Sequence, residues 1–83
     1  MIAEYDPEAG ATYLALSERR VASTISVSDL LMVDVDEASE PVGVEFVMEP
    51  ARVADADLSE LVARFPSLHA AVADRSWLLS ATG

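Results

Sequence analysis

The sequence predicts an α+β fold, in which an antiparallel β-meander of about five short strands occupies residues 1–48 and one or two C-terminal helices pack on one face of the sheet. Two observations lead to this prediction. Up to Met48 apolar residues alternate with polar or small ones, which is typical of half-buried strands. After Pro50 the apolar spacing becomes helical. The links between strands are too short for parallel crossovers, so antiparallel pairing is expected.

The length of 83 residues suits one small domain, and we expect a single domain over residues 1–83 with a sheet segment at 1–48 and a helical tail at 50–83. The chain has no Cys, which excludes disulfides and thiolate metal sites and favours a cytoplasmic protein. The first residues show no basic segment and no long apolar run, so neither a signal peptide nor a membrane span is expected.

Five strands follow from the alternation, separated by turns at residues 7–10, 17–20, 28–30 and 37–40 that are short enough for hairpins. The predicted strands are residues 2–6, 11–16, 21–27, 31–36 and 41–47.

A first helix is predicted after Pro50. Asp57 stands three residues before Glu60, which resembles the start of a capping box, and Pro66 is a stop signal. The apolar residues between them recur at the positions i, i+3, i+4 and i+7 of one helical stripe: Leu58, Leu61, Val62 and Phe65.

A second helix is predicted from residue 67 to about residue 79, with a weaker apolar stripe. Trp77 lies partly off this stripe, so its ring is expected to be exposed unless another element covers it. The stripe consists of Leu68, Ala71, Val72 and Leu79.

The loop lengths also predict a register, with Asp34 opposite Thr24 on one side and Gly43 on the other. Directly opposed residues share a face, so the apolar positions collect on one face, which the helical stripe would cover. The predicted core face carries Ile2, Leu14, Leu16, Val21, Ile25, Val27, Leu31, Val33, Val35, Val42, Val44 and Phe46.

The second face of the sheet is predicted to carry a row of four residues, here named the polar row: Tyr13, Thr24, Asp34 and Gly43. Because Gly43 has no side chain, an open notch is expected beside the Asp34 carboxylate. Two hydroxyls and a carboxylate around this notch are suited to a polar ligand or to another protein; alternatively, they hydrogen-bond only to one another on a solvated face. The same face is predicted to carry Ala3, Tyr5, Ala11, Ala15, Ala22, Met32, Asp36 and Glu45.

Charge excludes one class of function. The chain has 15 acidic residues against 5 Arg and a formal net charge of -10, so direct nucleic-acid binding, which needs a cationic patch, is not expected. Residues 1–49 hold 11 acids and 2 Arg (net -9), and residues 50–83 hold 4 acids and 3 Arg (net -1). The acidic first segment is either a solvated surface or one that steers a basic protein partner.

Four short motifs stand in the first half of the chain: YDPEA at residues 5–9 followed by Tyr13, Val21 with Thr24, VDVD at 33–36 and VGVE at 42–45. In their order and spacing they resemble the small bacterial family of domain of unknown function 2283, over about residues 4–46. The resemblance implies a compact, mostly β domain with no assigned activity. Members commonly have an acidic residue where this chain has Gly10, and a Gly-containing turn where it has residues 37–40, which predicts a looser fourth hairpin.

Metal binding and catalysis have little support in the sequence. The acids at residues 34–40 lack the Gly and the Glu that a calcium loop needs, and Asp34 and Asp36 lie roughly 6.5–7 Å apart along one strand. His69 is the sole His and is predicted on a helix surface, which excludes zinc within one chain. We therefore predict no metal, no cofactor and no catalytic residue, and do not expect an enzyme.

Two functional hypotheses follow. The first is an interaction module that binds a protein partner, with an antitoxin-like or neutralising role toward a basic protein suggested by analogy. Its interface candidates are Trp77, Leu78 and Leu79, because Trp is favoured at interface hot spots. A homodimer is also compatible, since a five-stranded sheet has two edges and one helical layer covers one face incompletely. The alternative is a small-ligand or cation-binding domain that uses the polar row.

Overall fold

The computed structural model describes residues 2–73 and 76–77 and confirms the predicted fold class. One five-stranded antiparallel sheet is followed by short helices. The strands are β1 (Ile2–Asp6), β2 (Ala11–Ala15), β3 (Ser23–Ser28), β4 (Leu31–Val35) and β5 (Pro41–Phe46). A 3-10 turn (Pro50–Arg52) leads to helix α1 (Asp55–Arg64), and a second 3-10 turn (Pro66–Leu68) leads to helix α2 (His69–Val72).

The strand order β1-β2-β5-β4-β3 departs from a simple meander at one point. The predicted hairpin between β2 and β3 is wrong, because β2 pairs with β5. The connection at residues 16–22 instead passes the end of β5, where the amides of Leu16 and Ser17 both donate to the carbonyl oxygen of Val42, at 2.9 and 3.2 Å. The central strand is thus β5, in which five of the six residues are buried, and this suits its apolar sequence.

The hydrophobic core lies between one face of the sheet and the helices. Leu14, Val33, Val44 and Phe46 project from the strands and are fully buried. From the helical segment the core receives Val53, Leu58, Leu61, Leu68, Val72 and Trp77. The Trp77 ring stacks on Phe46 with centroids 5.6 Å apart and is only 6% exposed. The sheet is therefore the element that covers Trp77.

The predicted orientation of β1 is wrong. Ala3 lies opposite Leu14 and is buried, whereas Ile2 is 64% exposed on the other face. The turn between β1 and β2 sets this register: Gly10 has a φ of 65°, in the left-handed region that favours glycine, and its amide donates to Asp6 O at 2.9 Å. That closure pairs Asp6 with Ala11 and turns the even-numbered residues of β1 away from the core.

Two further residues depart from the predicted faces. Tyr5 pairs with Thr12, whose other neighbour is the core residue Phe46, so Tyr5 belongs to the core side of the sheet. Val21 precedes β3 rather than lying in it, and it is 44% exposed. The extra residues of the connection from β2 to β3 therefore leave Val21 outside the core.

Helix α1 begins earlier than predicted. Its N-cap is Ala54, and Asp57 occupies the third helical position, where its carboxylate accepts the Ala54 amide at 2.9 Å. Asp57 thus supplies one half of a capping box instead of opening the helix. The helix ends at Arg64, directly before the 3-10 turn that begins at Pro66.

The second helix is less regular than predicted within the described residues, because the chain forms a 3-10 turn at Pro66–Leu68 and an α-helical turn at His69–Val72, with Ala73 in a bend and Trp77 again helical. Leu68 and Val72 are buried, as the stripe predicts. The remainder of the prediction, including Leu78 and Leu79, lies outside the described residues. In the part of the chain that the structure describes, no helix is long and apolar enough to cross a membrane.

Candidate functional site

The sheet face opposite the described helices carries all four residues of the polar row and is named here the open face. As predicted, Asp34 lies opposite Thr24 on β3 and opposite Gly43 on β5. Tyr13 is not in direct register with them, since it pairs with Glu45, and Gly43 has Ala15 as its neighbour on β2. Tyr13 therefore approaches the row diagonally from the next cross-strand position.

The Asp34 carboxylate joins the row together. Its Oδ1 accepts a hydrogen bond from the Thr24 hydroxyl at 2.6 Å, and its Oδ2 accepts one from the Tyr13 hydroxyl at 2.7 Å. Both distances are short, as expected when the acceptor is ionised. One side chain of β4 thus ties together β2 and β3, two strands that are not adjacent in the sheet.

The open notch predicted at Gly43 is wrong, because the Tyr13 ring occupies it. A side-chain carbon added to Gly43 would overlap the hydroxyl and ring carbons of Tyr13. Glycine is required here for the close approach of the ring, which crosses β5 to reach Asp34. The polar row is therefore a closed arrangement in which the hydroxyls of Tyr13 and Thr24 hydrogen-bond to Asp34.

The environment keeps the Tyr13 phenol protonated. Burial contributes most, followed by the hydrogen bond to Asp34 and the negative charges of Asp34 and Glu45, and together they raise the pKa of Tyr13 to about 12. A phenol in this state donates to the carboxylate and does not act as a base near neutral pH. Each Asp34 oxygen can accept a further hydrogen bond, so the site is suited to an N–H donor or a cation.

The charged residues at the described positions of the open face are all acidic. Glu4 and Glu45 lie on either side of Tyr13 in the register, while the Asp6 carboxylate accepts the Glu8 amide of the first turn at 3.0 Å. From the pairing and the strand alternation, the face comprises Ile2, Glu4, Asp6, Ala11, Tyr13, Ala15, Thr24, Ser26, Met32, Asp34, Gly43 and Glu45. Four of these positions are acidic and none is basic.

The β4–β5 hairpin, the fourth in the predicted order, is held by Asp36, which follows the last residue of β4. Its Oδ1 accepts the amides of Ala38 at 2.9 Å and Glu40 at 3.0 Å, and its Oδ2 lies 3.3 Å from the Arg19 guanidinium. The hydrogen bond from the Glu40 amide is the largest of the effects that lower the pKa of Asp36. These contacts brace the hairpin that the missing glycine predicts to be looser, in which Ser39 takes a left-handed φ of 64° and the register shifts between Asp34 and Val35.

One structural contact has no obvious sequence signal. Thr12 lies on the core side, opposite Phe46, and is fully buried. Its hydroxyl donates to the carbonyl oxygen of Met48 at 2.8 Å, which satisfies the buried group and ties β2 to the segment leading to the helices. Strand alternation from Leu14 places Thr12 on this face, but the carbonyl that accepts from it cannot be identified from the sequence.

The candidates in the tail divide between buried and undescribed residues. Trp77 is buried against Phe46, so its ring belongs to the core and not to the surface. Leu78 and Leu79 fall outside the described residues. His69 is exposed on α2. Among residues 2–73 and 76–77, no group of three or more potential metal ligands is placed to hold an ion.

Comparison with known proteins yields a family. A family model described as "Protein of unknown function (DUF2283)" matches residues 3–48, which covers more than half of the chain and all five strands. No curated protein and no solved structure matches the chain. The match extends slightly beyond the span of the resemblance found in the sequence and confirms it.

Proposed function

Since the chain belongs to the DUF2283 family of proteins of unknown function, its membership brings no activity with it, and we propose that it is an interaction module that binds a basic protein partner through the open face. The observation that carries the proposal is that the described positions of this face hold four acids and no base. Arg19 is held by Asp36 and by the Pro41 carbonyl, and Arg20 is exposed in the connection before β3, outside the paired positions of the face.

Glu4 and Glu45 are close enough for their electrostatic potentials to add. Glu4 and Glu45 each lie directly opposite Tyr13, and directly opposed residues on neighbouring strands stand about 5 Å apart. Glu4 and Glu45 are therefore about 10 Å apart across Tyr13. This distance lies within roughly one or two Debye lengths at physiological salt, where the Debye length is about 8 Å. The face therefore presents one negative region to an approaching protein and not two screened charges.

The apolar residues between the acids define the kind of side chain that fits. Met32 lies opposite Glu45. Ile2 is exposed on β1, two residues before Glu4 and on the same face. Lys and Arg bury their aliphatic stems on such surfaces while their charged ends meet carboxylates. A Lys- or Arg-rich surface of a partner thus satisfies both features, and a neutralising, antitoxin-like role toward a basic protein in the cytoplasm is the form of this proposal that analogy suggests.

A small-ligand or cation site at the polar row is less well supported. A ligand at Asp34 would have to share the carboxylate with two donors or displace the Tyr13 ring from Gly43. Asp34→Asn removes the charge while keeping the shape of the side chain, so it tests this alternative. A divalent cation that raises the melting temperature of the native chain, but not of Asp34→Asn, would favour the ligand site over the protein partner.

The proposal is tested by co-purification with the product of the neighbouring gene, followed by binding measurements at several salt concentrations. The test variant is Glu4→Gln/Glu45→Gln, and the matched control is Glu18→Gln/Glu60→Gln, which removes two charges from exposed positions outside the open face. We expect the open-face variant to bind roughly three- to tenfold more weakly, with a shallower salt dependence. Equal losses in both variants, or the absence of a salt-sensitive complex, would overturn the proposal.

A further inference from the structure

The strand β3 forms one edge of the sheet. It pairs with β4 along Ser23–Ser28, and in the part of the chain that the structure describes no strand lies on its other side. Alternate backbone N–H and C=O groups of an edge strand point outward and can pair with an additional strand. The register irregularity between Ser26 and Ser28 leaves four residues, Ser23 to Ser26, in regular pairing.

The two edges of the sheet differ in how they are protected. The outer strand β1 carries Glu4 and Asp6 within five residues, which discourages pairing with another strand. The outer strand β3 has the sequence STISVS, with no charge and no proline, and it includes three β-branched residues. Its bulge near the β4 end is one of the usual means of guarding an edge, and helix α1 packs close to this strand.

Charge identifies the occupant of this edge. A strand added beside β3 would place alternate side chains over the open face, next to Thr24, and Asp34 lies opposite Thr24 on β4. Asp34 is then two strand spacings from the added strand, about 10 Å, a distance that a long Lys or Arg side chain largely spans. A second copy of this chain would instead bring another net charge of -10 and an uncharged β3 with no base to meet Asp34.

We propose that the β3 edge receives an extended segment of the basic partner as a sixth, antiparallel or parallel strand. This segment carries Lys or Arg at the position opposite Thr24, from which the side chain reaches toward Asp34. The inference rests on the proposed function and adds the mode of docking to it. Main-chain hydrogen bonds to β3 provide affinity, and the charged side chains over the open face select a basic sequence. The partner segment is thus extended, at least four residues long, and basic at alternate positions.

The direct test uses the full chain and two synthetic peptides of alternating Lys and Val. One peptide has normal amides. The other is N-methylated at the alternate residues whose amides would point toward β3, so it keeps its charge but loses the donors that would pair with β3. We expect the normal peptide to bind at least about tenfold more tightly, because several main-chain hydrogen bonds are lost in the other. We also expect slower hydrogen exchange of β3 amides with the normal peptide.

Two protein variants locate the contact. Ser26→Lys and Ile2→Lys each add one positive charge to the open face on opposite edge strands, and Ser26 and Ile2 are both exposed. Ser26→Lys places a like charge beside the added strand and is expected to weaken the normal peptide several-fold more than Ile2→Lys does. Circular dichroism establishes that both variants keep the sheet, so the comparison concerns binding alone.

The outcomes separate this inference from the function on which it rests. Equal affinity of the two peptides, with a steep salt dependence, would leave the basic-partner proposal standing and overturn strand addition. Binding of neither peptide by the native chain would overturn both. Slower exchange on β1 in place of β3 would overturn the choice of edge. Protection of β3 that rises with protein concentration in the absence of peptide would show that a second copy is the occupant, which also contradicts the inference.

Discussion

The two faces of the sheet use the same five strands for different purposes. The covered face consists of side chains such as Leu14, Val44 and Phe46, which have no exposed surface and pack against the helices. The open face consists of acids around a hydrogen-bonded centre at Asp34. Because residues alternate between the faces, a small domain can hold its stability on one and its charge on the other. Substitutions on one face should therefore leave the other face unchanged.

The largest effect is expected on the covered face. Phe46→Ala removes a fully buried ring that stacks on Trp77, and we expect the free energy of unfolding to fall by about 3–5 kcal/mol. Thr24→Ala on the open face, where the residue is exposed, is expected to cost no more than about 1 kcal/mol. Chemical denaturation of both variants checks the difference, and similar losses would contradict the separation of the faces.

A smaller effect is expected from Gly43→Ala, which lies at the centre of the open face. The added methyl group would push the Tyr13 ring away from β5 and break its hydrogen bond to Asp34, at a cost of about 1–3 kcal/mol. In a Tyr13→Ala background the same substitution should cost much less, because the clash is gone. A double-mutant cycle measures this coupling, and additive losses would show that Tyr13 does not fill the notch.

The pH dependence of stability at high pH should come from Tyr13. Its pKa is about 12 in the folded chain, against 10.0 for an ordinary tyrosine, so its stabilising contribution is fully present below pH 10 and is lost as the pH rises to about 12. Tyr13→Phe lacks an ionisable group at this position. We therefore expect the native chain to lose stability between pH 10 and 12 more steeply than Tyr13→Phe, and parallel unfolding curves would contradict the assignment.

The smallest effect is expected at Asp36, at the end of the sheet. Its pKa lies below the ordinary value of 3.8, chiefly because the Glu40 amide donates to its carboxylate. Its stabilising contribution is therefore present above pH 3.8 and is lost as the pH falls through the lowered pKa. Melting temperatures of the native chain and Asp36→Asn should differ at pH 6 and converge in acid. A difference that persists below this range would show that the charge of Asp36 is not responsible.

Local sequence signals predicted much of this fold. The strands lie within one or two residues of their predicted ends, and the pairing of Asp34 with Thr24 and Gly43 is correct, because short loops between β3, β4 and β5 leave few registers. The sequence does not reveal the pairing of β2 with β5. A connection as long as residues 16–22 can either close a hairpin or cross to the far edge of the sheet.

Other errors depend on contacts that a sequence does not display. The face of Ile2 is an error of a different kind, because the predicted turn at residues 7–10 already pairs Asp6 with Ala11 and places Ala3, not Ile2, opposite Leu14. The polar row was predicted from register alone, but the diagonal reach of Tyr13 across Gly43 requires a side-chain conformation. Trp77 is buried because Phe46 lies beneath it, and only the packing of the tail on the sheet reveals that contact.

The most direct test of the central claim, that the open face is the binding surface, is to map amide chemical shifts of the native chain while it is titrated with a Lys-rich peptide in low salt. We expect the perturbed amides to cluster around Glu4, Tyr13, Asp34 and Glu45, and the shifts to fade as salt is added. Perturbations centred on α1, or spread evenly over every exposed acid, would contradict it.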